Sequence, residues 1–228
     1  MTAYPMNQTS SASADPDTSV PPIREVVATE EELRAVLGHP GEGAVRKDIG
    51  RLEQHARAFI ARSPFLLVAT ADAGGRCDVS PRGDPPGFAL VLNDHTLVLP
   101  ERPGNKRGDT LSNVIANPEI GLLFIVPGMD ETLRVNGSAV IARDEWLRDR
   151  MAERGKVPAL ALVVTVREAY FHCAKAFRRS DLWDPARFSA PGELPSLGRV
   201  IRDQLRLENV TAEQLDHGLE EDYRKNLY

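Results

Sequence analysis

The run Leu99-Pro-Glu-Arg-Pro-Gly-Asn-Lys-Arg-Gly-Asp-Thr-Leu-Ser-Asn113 carries the strongest chemical signal in the chain. A strand ends there, a Pro/Gly loop follows, and a short helix begins, with Arg102, Lys106 and Arg107 just ahead of it. Cations are disfavoured at a helix N-terminus, where free N–H groups already present partial positive charge. Three basic residues in that place call for an anion, and a phosphate suits both the N–H groups and the guanidinium fork. The plainer alternative is a solvated basic loop with Asp109 as cap and counter-charge. A second run, Asp78-Val-Ser-Pro-Arg-Gly-Asp-Pro-Pro-Gly87, crowds Pro and Gly at a strand end, which leaves backbone groups free to meet a ligand. Arg82 offers a further phosphate contact or a fixed donor. Alternatively, Arg82 and Asp84 pair across a tight turn.

Other reactive residue types read as structural. His172 and Cys173 are adjacent on a strand and point to opposite faces, so they do not address one site. Cys173 reads as an inert buried thiol. His172 either packs beneath a ligand or bonds a neighbouring backbone group. Trp183, in Arg178-Arg-Ser-Asp-Leu-Trp183, reads either as a stacking surface beside guanidinium groups or as a dimer anchor. Trp146 has helical spacing with Met151 and reads as core. No residue stands out as a catalytic acid, base or nucleophile. The two cysteines, Cys77 and Cys173, form neither a disulfide framework nor a zinc site.

The elements that must hold these residues are mostly strands. Phe65–Thr70 and Cys77–Ser80 flank a turn at Ala73-Gly-Gly-Arg76, and Phe88–Val91 and Thr96–Leu99 flank Asn93-Asp94. Ile120–Val126, Leu133–Ile141 and Ala159–Phe171 complete the set. Helices are expected at about 47–62 (Ile49, Leu52, Ala56, Phe59 and Ile60 on one face), 109–116, 144–154 and, amphipathic, over 196–227. Thr29 with Glu32 is a capping-box pattern. Short strands with few long connections predict a closed antiparallel barrel rather than a βαβ sheet. Neither a GxGxxG nor a GxxxxGK[ST] run is present.

Composition narrows the function classes. The 228 residues suit one domain with terminal extensions, and 42% hydrophobic with 27% charged residues can build a core. A net charge of −5 argues against nucleic acid as a partner. No apolar run approaches the roughly 18 residues of a membrane span, and the N-terminus lacks a secretory h-region, so a cytoplasmic protein without membrane or metal is expected. Residues 1–22, rich in Ser, Thr, Pro and Asp, read as a disordered tail. A barrel domain then covers 23–185, and a helical extension over 186–228 packs on the barrel or on a dimer partner.

Taken together, Phe65-Leu-Leu-Val-Ala-Thr70, Asp78-Val-Ser-Pro-Arg-Gly-Asp84, Gly104-Asn-Lys-Arg107 and Asn117-Pro-Glu-Ile-Gly-Leu-Leu-Phe124 resemble the pyridoxamine 5'-phosphate oxidase-like, FMN-binding split-barrel family. Within it, Val126-Pro-Gly-Met-Asp-Glu-Thr-Leu-Arg-Val-Asn-Gly137, Phe171-His-Cys-Ala-Lys175 and Arg178–Trp183 are similar to a branch of uncharacterised FMN-dependent enzymes. The resemblance covers about 45–185. It implies a mainly β (α+β) fold, a six-stranded antiparallel split β-barrel with flanking helices, assembled as a homodimer with one FMN in each of two clefts between subunits. Carried over by position, Lys106 and Arg107 hold the FMN phosphate with help from Asn105 and the following helix. Ser80, Pro81 and Arg82 lie along the ribityl chain and ring, Pro100 and Glu101 border the ligand, and Ser112 and Asn113 reach it from the helix. The partner chain contributes Thr132, Arg134 and Trp183.

The implied activity is that of a flavin-dependent oxidoreductase acting on a small molecule. Pyridoxamine phosphate oxidation itself is not implied, because the family's Trp/Arg-rich ending is replaced by Thr211-Ala-Glu-Gln-Leu-Asp-His-Gly218 and Tyr223-Arg-Lys-Asn-Leu-Tyr228. A non-catalytic flavin or haem carrier and a deazaflavin-dependent reductase are the alternatives.

Overall fold

The computed structural model describes residues 21–228, so the expected disordered tail, all but its last two residues, lies outside the described residues. The chain divides into two compact units, one ending at Glu42 and one running from Gly43 to Tyr228. In the first, α1 (Glu30–Leu37) starts at Thr29 with both halves of the capping box formed: the Thr29 hydroxyl accepts from Glu32 N, and the Glu32 carboxylate accepts from Thr29 N. A single helical turn, α2 (Glu42–Arg46), lies where the two units meet in sequence.

The second unit is built on α3 (Gln54–Arg62) and seven strands: β1 (Phe65–Ala71), β2 (Cys77–Gly83), β3 (Leu90–Asn93), β4 (Thr96–Glu101), β5 (Glu119–Ile125), β6 (Thr132–Ala142) and β7 (Leu160–His172). All pairings are antiparallel, in the order β2-β1-β5-β6-β7-β4-β3. The sheet is open, with β2 and β3 as its edges, where the strand pattern alone predicted closure. An open, strongly antiparallel sheet with flanking helices is an α+β architecture compatible with a split barrel. β2 runs past Ser80 to Gly83, with Pro81 opposite Leu67. Proline is tolerated there because an edge strand has only one neighbour to satisfy.

Alternation places Leu66 and Val68 of β1, Leu122 and Phe124 of β5, Leu133 and Val135 of β6 and Val164 of β7 in one core with Phe59 and Ile60 of α3. At Gly137 the β6–β7 register shifts, and an added Cβ would overlap the Thr165 carbonyl, so only glycine fits.

α3 begins at 54 rather than 47. Asp48 Oδ1 accepts from both Gly50 N and Ala169 N, Gly50 takes φ +65°, and the Glu53 carboxylate caps the helix through His55 N and Ala56 N. The 47–53 stretch is therefore a side-chain-held turn, and Ile49 is exposed. α4 (Asp109–Ala116) forms over the expected residues. α5 (Glu145–Asp149) is a short helix that buries Leu147, with Met151 just beyond it, against Val98 and Ala161. Trp146, expected in the core, is 56% exposed because its neighbour Leu147 takes the inward position.

Beyond β7 come α6 (Lys175–Ser180), a 3-10 turn at Pro185–Arg187, α7 (Leu197–Leu205) and α8 (Ala212–Asn226). α7 and α8 meet at Gly198, whose N–H donates to Asp216 Oδ1 at 2.7 Å.

Candidate functional site

The ends of β2 and β4, the 102–108 loop and the start of α4 enclose a cleft of about 820 Å³. Of the residues expected to hold a ligand, Ser80, Pro81, Arg82, Pro100, Glu101, Asn105, Lys106 and Arg107 all line it. β2 and β4 stand near opposite edges of the sheet order, yet Arg82 of β2 lies 3.5 Å from Glu101 of β4, so the sheet curls until both strand ends border one cleft.

Each polar side chain has a defined setting. Arg82 donates to the Ser80 hydroxyl at 2.9 Å and the Pro81 carbonyl at 3.0 Å, and lies 3.5 Å from Glu101 Oε2. Ser80 and Thr110 share a 3.0 Å hydroxyl contact that ties β2 to the first turn of α4. Burial pushes the Glu101 carboxyl above its ordinary value, a rise that the Arg82 charge only partly offsets. Asn105 Oδ1 accepts from Arg107 N at 3.0 Å and so shapes the loop, while the Arg107 guanidinium meets Asp109 at 2.9 Å.

Lys106 is the most telling member. It is exposed, has no ion-pair partner among the described residues, and sits at φ +61° in the left-handed region that non-glycine residues avoid. Two residues after it, the N-cap of α4 is Gly108 at φ +70°, which offers no side-chain acceptor to the first-turn amides. Asp109, which could have served as the cap, is the first helical residue and pairs with Arg107 instead. The loop thus combines an unneutralised ammonium, strained backbone and uncapped N–H groups on one wall of a cleft.

Two sequence readings change. Arg102 is not a free gripping cation: it pairs at 2.5 Å with Asp84, whose side chain is 1% exposed, and donates to the Met151 carbonyl at 2.9 Å. Arg82 and Asp84 do not pair with each other across the turn, since Arg82 faces Glu101.

The remaining expected residues do not line this cleft. Asn113 is buried and gives its Nδ2 hydrogens to Thr70 Oγ1 and Asp78 Oδ2, and Ser112 is exposed on α4. Thr132 is buried at the start of β6 opposite His172, Arg134 donates to the Tyr170 hydroxyl at 2.8 Å, and Trp183 donates to the Met129 carbonyl at 2.8 Å beside Phe177.

Near Arg134, His172 has a buried Nε2 with no partner. Its pKa is lowered by burial and by the charges of Arg134 and Lys47. Cys173 is exposed, contrary to expectation, and its thiol pKa is lowered by a backbone hydrogen bond at Lys175 and the charges of Lys175 and Lys47. The strand ends at His172, so the alternation that would bury Cys173 stops one residue too soon.

Sequence reasoning missed the opposite wall: Phe88, the 156–160 segment and Tyr228. The tight turn Glu153–Lys156, closed by two backbone hydrogen bonds and with Arg154 and Gly155 both at positive φ, had a signal in its glycine. Tyr228 had none.

A sequence model of the pyridoxamine 5'-phosphate oxidase family matches residues 52–173. The chain belongs to that family. Every cleft residue of this family member except Tyr228 falls inside the matched segment. Solved structures give partial similarities. HupZ from Group A Streptococcus is 21% identical at a TM-score of 0.43, covering 51% of this chain and 90% of its own. HutZ, the heme storage protein of Vibrio cholerae, is 18% identical at 0.39, covering 54% and 94%. A Clostridium acetobutylicum protein related to general stress protein 26 is 15% identical at 0.41, covering 52% and 85%. No curated protein sequence matches this oxidase-family chain. None of its described helices is long and apolar enough to cross a membrane, and the described residues contain no group of three or more potential metal ligands.

Proposed function

We propose that this family member binds FMN in the cleft and is a flavin-dependent oxidoreductase acting on a small molecule. The observation that carries the reading is Lys106, an unpaired cation in a strained conformation ahead of an uncapped helix. Strain of this kind persists where the surroundings over-determine it, as ligand clamps do. A doubly negative phosphate neutralises the ammonium, accepts from the free amides and competes with Asp109 for Arg107. The cleft volume falls in the range of small-molecule and cofactor sites.

The bound flavin would supply the hydride chemistry. Around it, Lys106, Arg107 and Asn105 hold the phosphate end, while Ser80, Pro81 and Arg82 border the ribityl chain and ring. Pro100 and Glu101 close the strand-end side, and Glu101 keeps its proton to a higher pH than a solvated carboxyl. A homodimer, in which Thr132, Arg134 and Trp183 of a second copy complete the cleft, gives a use to three residues that lie outside the cleft within one chain. Haem carriage through His172 is less well supported, because its Nε2 is buried.

An absorbance spectrum of the freshly purified protein tests the reading. Bound FMN gives a yellow protein that bleaches on reduction. A Soret band points to haem instead, and a colourless protein that turns over a deazaflavin points to that co-substrate. Replacing Lys106 and Arg107 by Ala should weaken FMN binding by about a hundredfold, since charge-assisted contacts contribute roughly 1.5–3 kcal/mol each. Riboflavin affinity should stay nearly constant, and an equal loss of both flavins would overturn the phosphate assignment.

A further inference from the structure

The cleft has a support that the family-matched segment does not contain. Tyr228, two residues beyond α8, donates its hydroxyl to Asp84 Oδ1 at 2.6 Å. The other Asp84 oxygen is held by Arg102 at 2.5 Å, and Arg102 also reaches the Met151 carbonyl. Asp84 is buried and does not line the cleft, whereas Arg102 is the first residue of the loop that carries Asn105, Lys106 and Arg107. The Tyr228 ring lies 5.4 Å from the Arg102 guanidinium and 5.1 Å from that of Arg154. The hydroxyl–carboxylate–guanidinium series therefore runs from the C-terminal helical pair to the root of the anion-gripping loop.

We propose that Tyr228 is a positioning residue, bracing the loop through Asp84 and Arg102 so that Lys106 and Arg107 stand ready for a phosphate. The inference rests on the FMN reading above. A buried carboxylate that loses one donor is free to rotate or shift toward another, and Arg102, bonded to its second oxygen, moves with it. Loss of the Tyr228 hydroxyl therefore loosens the loop at its base without removing any cleft cation. The C-terminal helical pair, through this contact, sets how tightly the phosphate end is held. This gives α7 and α8 a role in affinity as well as in packing.

The test is titration of the full chain with FMN and with riboflavin, followed by flavin fluorescence. Wild type is compared with Tyr228→Phe, Asp84→Asn and the double variant, after thermal melting has shown each to be folded. Tyr228→Phe keeps the ring and removes only the donor. The expected result is a loss of FMN affinity of about tenfold, the scale of one charge-assisted hydrogen bond, with riboflavin changed less than twofold. Asp84→Asn should show the same selectivity, and the double variant should lose no more than the worse single, as members of one series do. Should Asp84→Asn fail to fold, Tyr228→Phe with its two flavins decides alone. Unchanged FMN affinity, equal loss of both flavins, or additive losses overturn the brace. A wild-type protein that holds both flavins equally overturns the FMN reading together with this inference. Wild-type preference for FMN that survives in Tyr228→Phe overturns this inference alone.

Discussion

Asn113 and Asp78 meet through a 2.7 Å hydrogen bond from Nδ2 to Oδ2 that locks α4 against β2 across 35 residues of sequence. The same Nδ2 also donates to the Thr70 hydroxyl on β1 at 3.1 Å. Both amide hydrogens are thus committed within the chain, and only Oδ1 remains to face a ligand. The pair fixes the axis of the helix whose first turn borders the cleft. Asn113→Ala leaves the buried Thr70 hydroxyl without this donor and the Asp78 carboxylate without its neutral partner. A loss of about 1–3 kcal/mol in urea unfolding is expected. A variant with wild-type stability would show that the lock is dispensable.

Lys106 makes a prediction in which stability and binding move in opposite directions. At φ +61° a lysine is strained and a glycine is not. Lys106→Gly should relieve that strain, offset in part by the greater freedom glycine gives the unfolded chain, so the melting temperature should hold or rise slightly. FMN affinity should fall by about tenfold or more as the ammonium is lost. Destabilisation in the apo protein would mean that the loop conformation is not the one described.

Gly137 tests the sheet. A Cβ there overlaps the Thr165 carbonyl of β7, a backbone atom that cannot rotate away. Gly137→Ala should cost at least the roughly 1–3 kcal/mol of an overpacked site. Denaturant unfolding measures it, and a tolerated alanine would contradict the β6–β7 register.

Glu101 gives a pH dependence with a defined sign. Its folded pKa lies above the ordinary value of 4.5, so the fold favours the protonated form. Its contribution to stability is complete below the unfolded value and is lost as pH rises through the raised folded value. Glu101→Gln removes that loss. The melting temperature of the variant relative to wild type should therefore climb as pH rises from the ordinary value of 4.5 through the raised folded value. A flat difference across that range would show the carboxyl to be solvated.

Local signals were legible and long-range ones were not. The α4 helix was readable from Leu111, Val114 and Ile115 and from the Asn117-Pro118 stop, and the Thr29 box from two residues three apart. The strands were readable because their faces alternate. The Asp84–Arg102–Tyr228 series was hidden, since Tyr228 and Asp84 lie 144 residues apart and no pattern in either neighbourhood points to the other. The α3 start was misplaced because Asp48 spends its side chain on a turn and on Ala169 N, a contact that exists only once β7 is in place. Half of the cleft was legible for the same reason: the basic loop is one contiguous run, whereas the facing wall is gathered from the 153–160 turn and the far end of the chain.

Pro81, set in the middle of the edge strand β2, has a bearing on how copies of this protein can meet. An incoming strand seeking to extend the sheet past β2 would find a missing donor at its centre, which breaks the run of bonds such an addition needs. Any contact on that flank must then be made by side chains such as Val79, which is 65% exposed, rather than by a continued ladder of backbone bonds.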